Sequence, residues 1–83
     1  MNYACPCCGY LTLSEEPPGT FEICAVCFWE DDAVQFREPD ETDGANTVSL
    51  RVARANFAEF GASERRFLDD VRPPHPDEIP RAV

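Results

Sequence analysis

Polar and apolar residues alternate over Tyr10 to Leu13 and again over Phe21 to Ile23, the period-two pattern of strands with one face buried. The intervening stretch, SEEPPGT, is dense in turn formers. Pro18 presets φ and Gly19 accepts a positive one, so the two runs are predicted to form a single β-hairpin. Downstream the period changes. Leu50, Ala53, Phe57 and Phe60 fall within about 80° of one another at 100° per residue, which predicts a helix with one apolar face. Ser49 is its expected N-cap and Gly61 its stop. A second short helix is expected from a Ser63 cap to about Val71, with Phe67, Leu68 and Val71 as its apolar contacts.

Between these halves, Glu30 to Asp43 shows no apolar period. It holds Glu30, Asp31, Asp32, Glu38, Asp40, Glu41 and Asp43 against Arg37 alone, and reads as a solvated connection with room for one helical turn. The end of the chain, RPPHPDEIPRAV, carries four of the eight prolines and is expected to be extended, free or laid across the surface. The organisation is therefore one cysteine-rich domain over 1–72, with knuckles and hairpin at 3–29, the acidic connection at 30–46 and the helical part at 49–72. A Pro-rich extended tail follows at 73–83.

A chain of 83 residues buries only about 60 to 65% of the surface it exposes when unfolded, so its core needs reinforcement from disulfides, a metal or a partner. Five cysteines point to one of the first two. The first is already at position 5, so no secretory leader is expected before it, and no run approaches the length of a membrane-spanning helix. The expected compartment is the reducing cytoplasm, where clustered cysteines are metal ligands rather than disulfides.

Cys5 and Cys8 form one CxxC pair, Cys24 and Cys27 a second, and 15 residues separate them, a spacing of zinc sites. A CxxC turn aims two thiolates at one point, and Gly9 suits the positive φ that such turns need. The predicted hairpin would bring Cys8 and Cys24 together. The fold class that follows is a small metal-stabilised α+β domain: a zinc-ribbon-like β-hairpin with two CxxC knuckles, followed by one or two short helices. Four thiolates close the coordination shell, so the ion, Zn2+ with iron as the alternative, is expected to be structural rather than catalytic.

Cys7 is left over. It is read first as a packing residue beside the sulfurs, with a reactive thiol and an alternative ligand paired with Cys5 as the other readings. His75, the only histidine, is a weaker candidate for a three-cysteine, one-histidine site, since four well-spaced cysteines are present. DETDGANTVSL resembles a calcium loop too weakly to count, because Thr42 and Gly44 stand where oxygen ligands are needed.

Charge narrows the partners. The formal charge is -9, from 16 acids against seven arginines and no lysine. Such a chain repels phosphate backbones and anionic lipid, which disfavours nucleic-acid and membrane binding and favours a cationic protein partner. Trp29 with Glu30, Asp31 and Asp32 forms the candidate interaction surface; the ordinary reading packs Phe28 and Trp29 against the Leu50, Phe57, Phe60 face and leaves the acids solvated near Arg51 or Arg54. With no histidine or pocket signal beside them, these carboxylates make a poor catalytic pair, and no enzyme activity is expected.

CPCCGY, EICAVCFWEDD, GANTVSL and the Ala53, Arg54, Asn56 positions together resemble the cysteine-rich CPCC family of small, mostly bacterial proteins. The likeness runs from Cys5 to about Pro74 and implies a compact metal-binding domain. Ala25 stands where members often have proline and Phe57 where tyrosine is common; neither is a sulfur ligand. Three functions are compatible with these residues: a non-catalytic protein-interaction or regulatory module built on a structural zinc, a rubredoxin-like iron electron carrier suggested by CxxCGY, and a thiol/zinc redox switch using Cys7. The missing glycine after Cys27 counts against the second.

Overall fold

The computed structural model describes residues 2–81. Two α-helices, α1 (Ala33–Arg37) and α2 (Leu50–Phe60), are followed by single 3-10 turns at Arg65–Phe67 and Pro76–Glu78. Among the described residues there is no β-strand, only two isolated antiparallel bridges, Tyr3 with Leu13 and Ile23 with Glu30.

The expected hairpin joining Tyr10–Leu13 to Phe21–Ile23 is therefore not formed. Each run pairs instead across its own knuckle. Tyr3 and Leu13 exchange N–H···O bonds of 2.7 and 3.1 Å around the first, and the Cys24 N–H donates to Trp29 O at 3.0 Å around the second. The reason is local: the Glu22 carboxylate accepts from the Ser14 and Glu15 N–H groups at 3.1 and 3.0 Å, so a side chain occupies donors that a ladder would use. Phe21, at φ 59, has also left the strand region.

The acidic connection is not simply solvated. Asp32 caps α1, accepting from the Val34 and Gln35 N–H groups, and its other oxygen accepts from Ala45 N–H at 3.1 Å. These donors, Gln35 first, hold its carboxyl below the usual range despite burial. Gln35 is fully buried on α1. Its amide nitrogen donates to the Glu41, Asn46 and Val48 carbonyls at 3.1, 3.1 and 3.2 Å, and its oxygen accepts from Asn46 N and Nδ2 at 3.1 and 2.8 Å. Asn46 in turn brackets Glu30, accepting from its N–H and donating to its carbonyl. One buried glutamine thus winds residues 41–48 around α1, which no apolar period could reveal.

Helix α2 follows its sequence signals. Ser49 Oγ accepts from Val52 N–H at 3.2 Å, Gly61 ends the helix at φ 88, and Leu50 and Ala53 are fully buried. The second helix shrinks to one 3-10 turn, and Ser63 is not its cap. Ser63 is buried, and its N–H donates to Cys27 O at 2.8 Å, which ties the chain to the second knuckle before a helix can start. Leu68, expected to pack inward, is 43% exposed.

The buried apolar set is Cys5, Cys7, Leu13, Cys24, Val26, Cys27, Trp29, Leu50, Ala53 and Ala62. Cysteine is thus the commonest core residue, and large apolar side chains are few. Residues 72–78 lie across the two knuckle regions as a strap: Arg72 N–H donates to Ala25 O at 3.2 Å, and Leu11 N–H donates to Glu78 O at 2.7 Å. The last two positions of the predicted tail, Ala82 and Val83, lie outside the described residues.

Candidate metal centre

The knuckles are built alike. In each, the N–H two residues after the first cysteine donates to that cysteine's sulfur, Cys7 N to Cys5 Sγ and Val26 N to Cys24 Sγ, both at 3.4 Å. The N–H of the residue after the second cysteine donates to the first cysteine's carbonyl, from Gly9 to Cys5 O and from Phe28 to Cys24 O, both at 2.8 Å. This closure needs a positive φ, 81° at Gly9 and 69° at Phe28. Glycine accepts it freely; Phe28 accepts it at a cost of order 1–2 kcal/mol, set against its ring contact with Phe67 at 4.7 Å.

Facing each other, the knuckles bring the Sγ atoms of Cys5, Cys8, Cys24 and Cys27 within 4.8 Å of one another. The pairs Cys5–Cys27 and Cys8–Cys24 each stand at 3.6 Å. Four sulfurs at ~2.3 Å from a central ion would form a tetrahedron with edges of about 3.8 Å, so the donor set fits such an ion in both chemistry and spacing. Cys5, Cys24 and Cys27 are buried and Cys8 half-buried, which leaves the Cys8 side as the exposed edge.

Electrostatics point the same way. Hydrogen bonding from Cys27 first, then from Cys5 and Cys8, with a 2.9 Å bond from the Thr12 hydroxyl, pulls the Cys24 thiol far below its usual range. Hydrogen bonding with Cys24 is in turn the leading cause that pushes the Cys5, Cys8 and Cys27 thiols up. Ionisation of one thiol in the cluster thus opposes ionisation of the others. A divalent cation is what allows all four to ionise together.

Cys7 is 8% exposed and outside the group of four. Its backbone N–H serves the site, but its sulfur does not complete it. Cys7→Ser keeps that N–H, and is expected to leave the metal-to-protein ratio unchanged and the unfolding free energy lowered by no more than about 1 kcal/mol, read by metal analysis and denaturant melts. His75 is likewise outside the cluster; its side chain is 62% exposed, with Nδ1 3.8 Å from Glu78.

The expected interaction surface at Trp29, Glu30, Asp31 and Asp32 is corrected by burial. Trp29 is 1% exposed, Asp31 0% and Asp32 8%, with only Glu30 partly open. Trp29 joins Leu50 and Ala53 in the core, with Phe57 packed against it. Asp31 Oδ2 accepts from the Thr20 N–H and hydroxyl at 2.9 and 2.8 Å, tying the loop after Pro18 to the second knuckle. The arginines expected nearby are elsewhere. Arg51 pairs with Asp40 at 2.6 Å, and Arg54 Nε donates to Pro6 O at 2.9 Å, clipping the first knuckle to α2.

Thr12, Arg54 and the Arg72–Glu78 clasp were not apparent as site-supporting residues from spacing, because each acts on a knuckle distant in sequence. The clasp is bidentate, at 2.8 and 2.9 Å, and Glu78 also accepts from His75 N–H at 2.8 Å. Arg72 first, then that N–H, depresses the Glu78 carboxyl from 4.5 to about 2. A depressed carboxyl contributes its full stability above the unfolded value and loses it as pH falls from about 4.5 toward 2. The stability gap between wild type and Glu78→Gln, measured by denaturant titration, is therefore expected to be constant near neutrality and to shrink below about pH 4.5.

Fold and site together define a class: a small cysteine-rich domain whose four converging thiols can take a metal ion. The chain belongs to the cysteine-rich CPCC family, whose sequence profile matches residues 3–78. No curated protein matches it.

Proposed function

We propose that the protein is a small intracellular zinc protein with a structural site formed by Cys5, Cys8, Cys24 and Cys27, acting as a non-catalytic protein-interaction or regulatory module. The observation that carries this reading is the convergence of four sulfurs from two matching knuckles, which leaves an ion no ligand position for water or substrate. Among the described residues no helix is long and apolar enough to cross a membrane, and the charge of -9 favours a cationic protein over nucleic acid. Metal analysis with an absorption spectrum, on protein made in unsupplemented medium, is expected to give one zinc per chain and no visible bands. Substoichiometric zinc, or turnover that depends on the bound ion, would defeat the reading.

A rubredoxin-like iron carrier is the second reading, favoured by Phe28. Although no glycine follows Cys27, Phe28 takes the left-handed conformation that Gly9 takes in the first knuckle, so the two halves are matched. A red protein with stoichiometric iron that cycles reversibly would promote it.

A further inference from the structure

An apolar groove of about 370 Å³ lies where the second knuckle, the C-terminal end of α2 and the strap meet. Val26, Phe57, Phe60, Leu68, Val71 and Pro74 line it. Arg72 is the one charged residue in the lining, and both its terminal nitrogens are held by Glu78. The groove thus lacks the free convergent polar groups by which small-molecule sites fix their ligands. Its rim along Leu68 to Val71 and the strap is anionic: Asp69 and Asp70 are exposed between the lining residues Leu68 and Val71, and Asp77 is exposed on the strap, while on the α2 side the Arg65 guanidinium lies 4.4 Å over the Phe60 ring. None of these three acids is in an ion pair among the described residues. A second copy of the chain, itself at -9, would meet like charge here.

We propose that this groove docks a short segment of a partner protein in which large apolar side chains are flanked by arginine or lysine. The inference rests on the interaction-module reading above and deepens it by naming the partner's chemistry. Apolar side chains enter between Phe60, Leu68 and Val71, while the flanking cations meet Asp69 and Asp70. Val26 lies between Cys24 and Cys27, and Pro73 and Pro74 follow Arg72, whose N–H is bound to Ala25 O, so the groove is built in part on the second knuckle.

The test uses the zinc-loaded full chain and a fluorescein-labelled peptide in which leucine and phenylalanine alternate with arginine. Fluorescence anisotropy reads binding, and amide NMR shifts locate it. Leu68→Ser, at a side chain already 43% exposed, is expected to weaken binding about tenfold, as loss of one buried leucine predicts. Asp69→Asn with Asp70→Asn is expected to weaken it several-fold and to flatten its salt dependence. Val52→Ser, at an exposed α2 residue outside the groove, is expected to change it less than about twofold. Peptides with serine replacing the apolar residues, or glutamate replacing arginine, are expected to fail.

Equal binding by the Leu68→Ser and Val52→Ser proteins, or undiminished binding of the serine peptide, overturns the groove as a docking site. Shifts that map to another face overturn it too, while leaving the interaction-module reading standing. Silence from this peptide and from a displayed random-peptide library removes both. Metal content and amide dispersion confirm that each variant is folded; should Leu68→Ser fail that check, the aspartate pair alone decides.

Discussion

Stripped of its ion by excess chelator under reducing conditions, the protein is expected to lose its cooperative thermal transition and its dispersed amide spectrum together, and to regain both when zinc is returned. The magnitudes decide this. A domain of 83 residues has a net stability of roughly 4 to 12 kcal/mol, whereas a structural zinc in a finger peptide is worth an apparent ~10 to 16 kcal/mol at neutral pH. Removing the ion removes as much as the whole margin. The core cannot compensate, because Cys5, Cys7, Cys24 and Cys27 occupy positions that another domain would fill with leucine or isoleucine. Nor are the thiols indifferent to the loss: without a cation, ionisation at Cys24 is opposed at the other three ligands. Cys24→Ser is expected to resemble chelation, whereas Cys7→Ser is expected to resemble wild type. Chelated protein that still melts cooperatively would show that the site is dispensable to the fold.

The second large effect is expected at Gln35, far from any ligand. Its amide makes five hydrogen bonds from a fully buried position, and Gln35→Leu would leave three carbonyls and two donors of Asn46 short of partners. At ~1 to 3 kcal/mol for each buried group left unsatisfied, with water and local rearrangement recovering part, a loss of about 3 to 5 kcal/mol is expected in the zinc-loaded protein. Hydrogen exchange at the Glu41 to Val48 amides should accelerate ahead of those in α2. Gly44 offers an internal check, since a Cβ there would sit 2.8 Å from the Gln35 Cδ. Gly44→Ala is therefore expected to be costly alone and nearly free in a Gln35→Ala background, and a double-mutant cycle measures the difference. Additive costs would mean that the loop does not wind on Gln35.

Signals were legible where the interaction was local. Ser49 and Gly61 bound α2 as their chemistry dictates, since an N-cap hydroxyl and a left-handed residue act within one turn. The two CxxC pairs named the four sulfurs that converge, because each turn is a self-contained device. Reading failed where a side chain or backbone group took a partner that no hydrophobic period encodes. Tyr10–Leu13 and Phe21–Ile23 alternate like strands, yet each closes its own knuckle, and Glu22 takes donors that would have joined them. Ser63 looks like a cap, yet Cys27 O holds its backbone. Asp31 and Asp32 look solvated, yet one ties down the loop at Thr20 and the other caps α1.

What the chain by itself determined was the set of four converging sulfurs, the main helix and the charge of -9. Tertiary structure decided which carboxylates are buried, how Gln35 and Asn46 organise the acidic segment, and that the proline-rich end crosses both knuckles to wall an apolar groove. The division follows from range. A cap or a CxxC turn is set by residues a few positions apart, whereas a buried amide or a strap finds its partners only after the chain has folded back on itself.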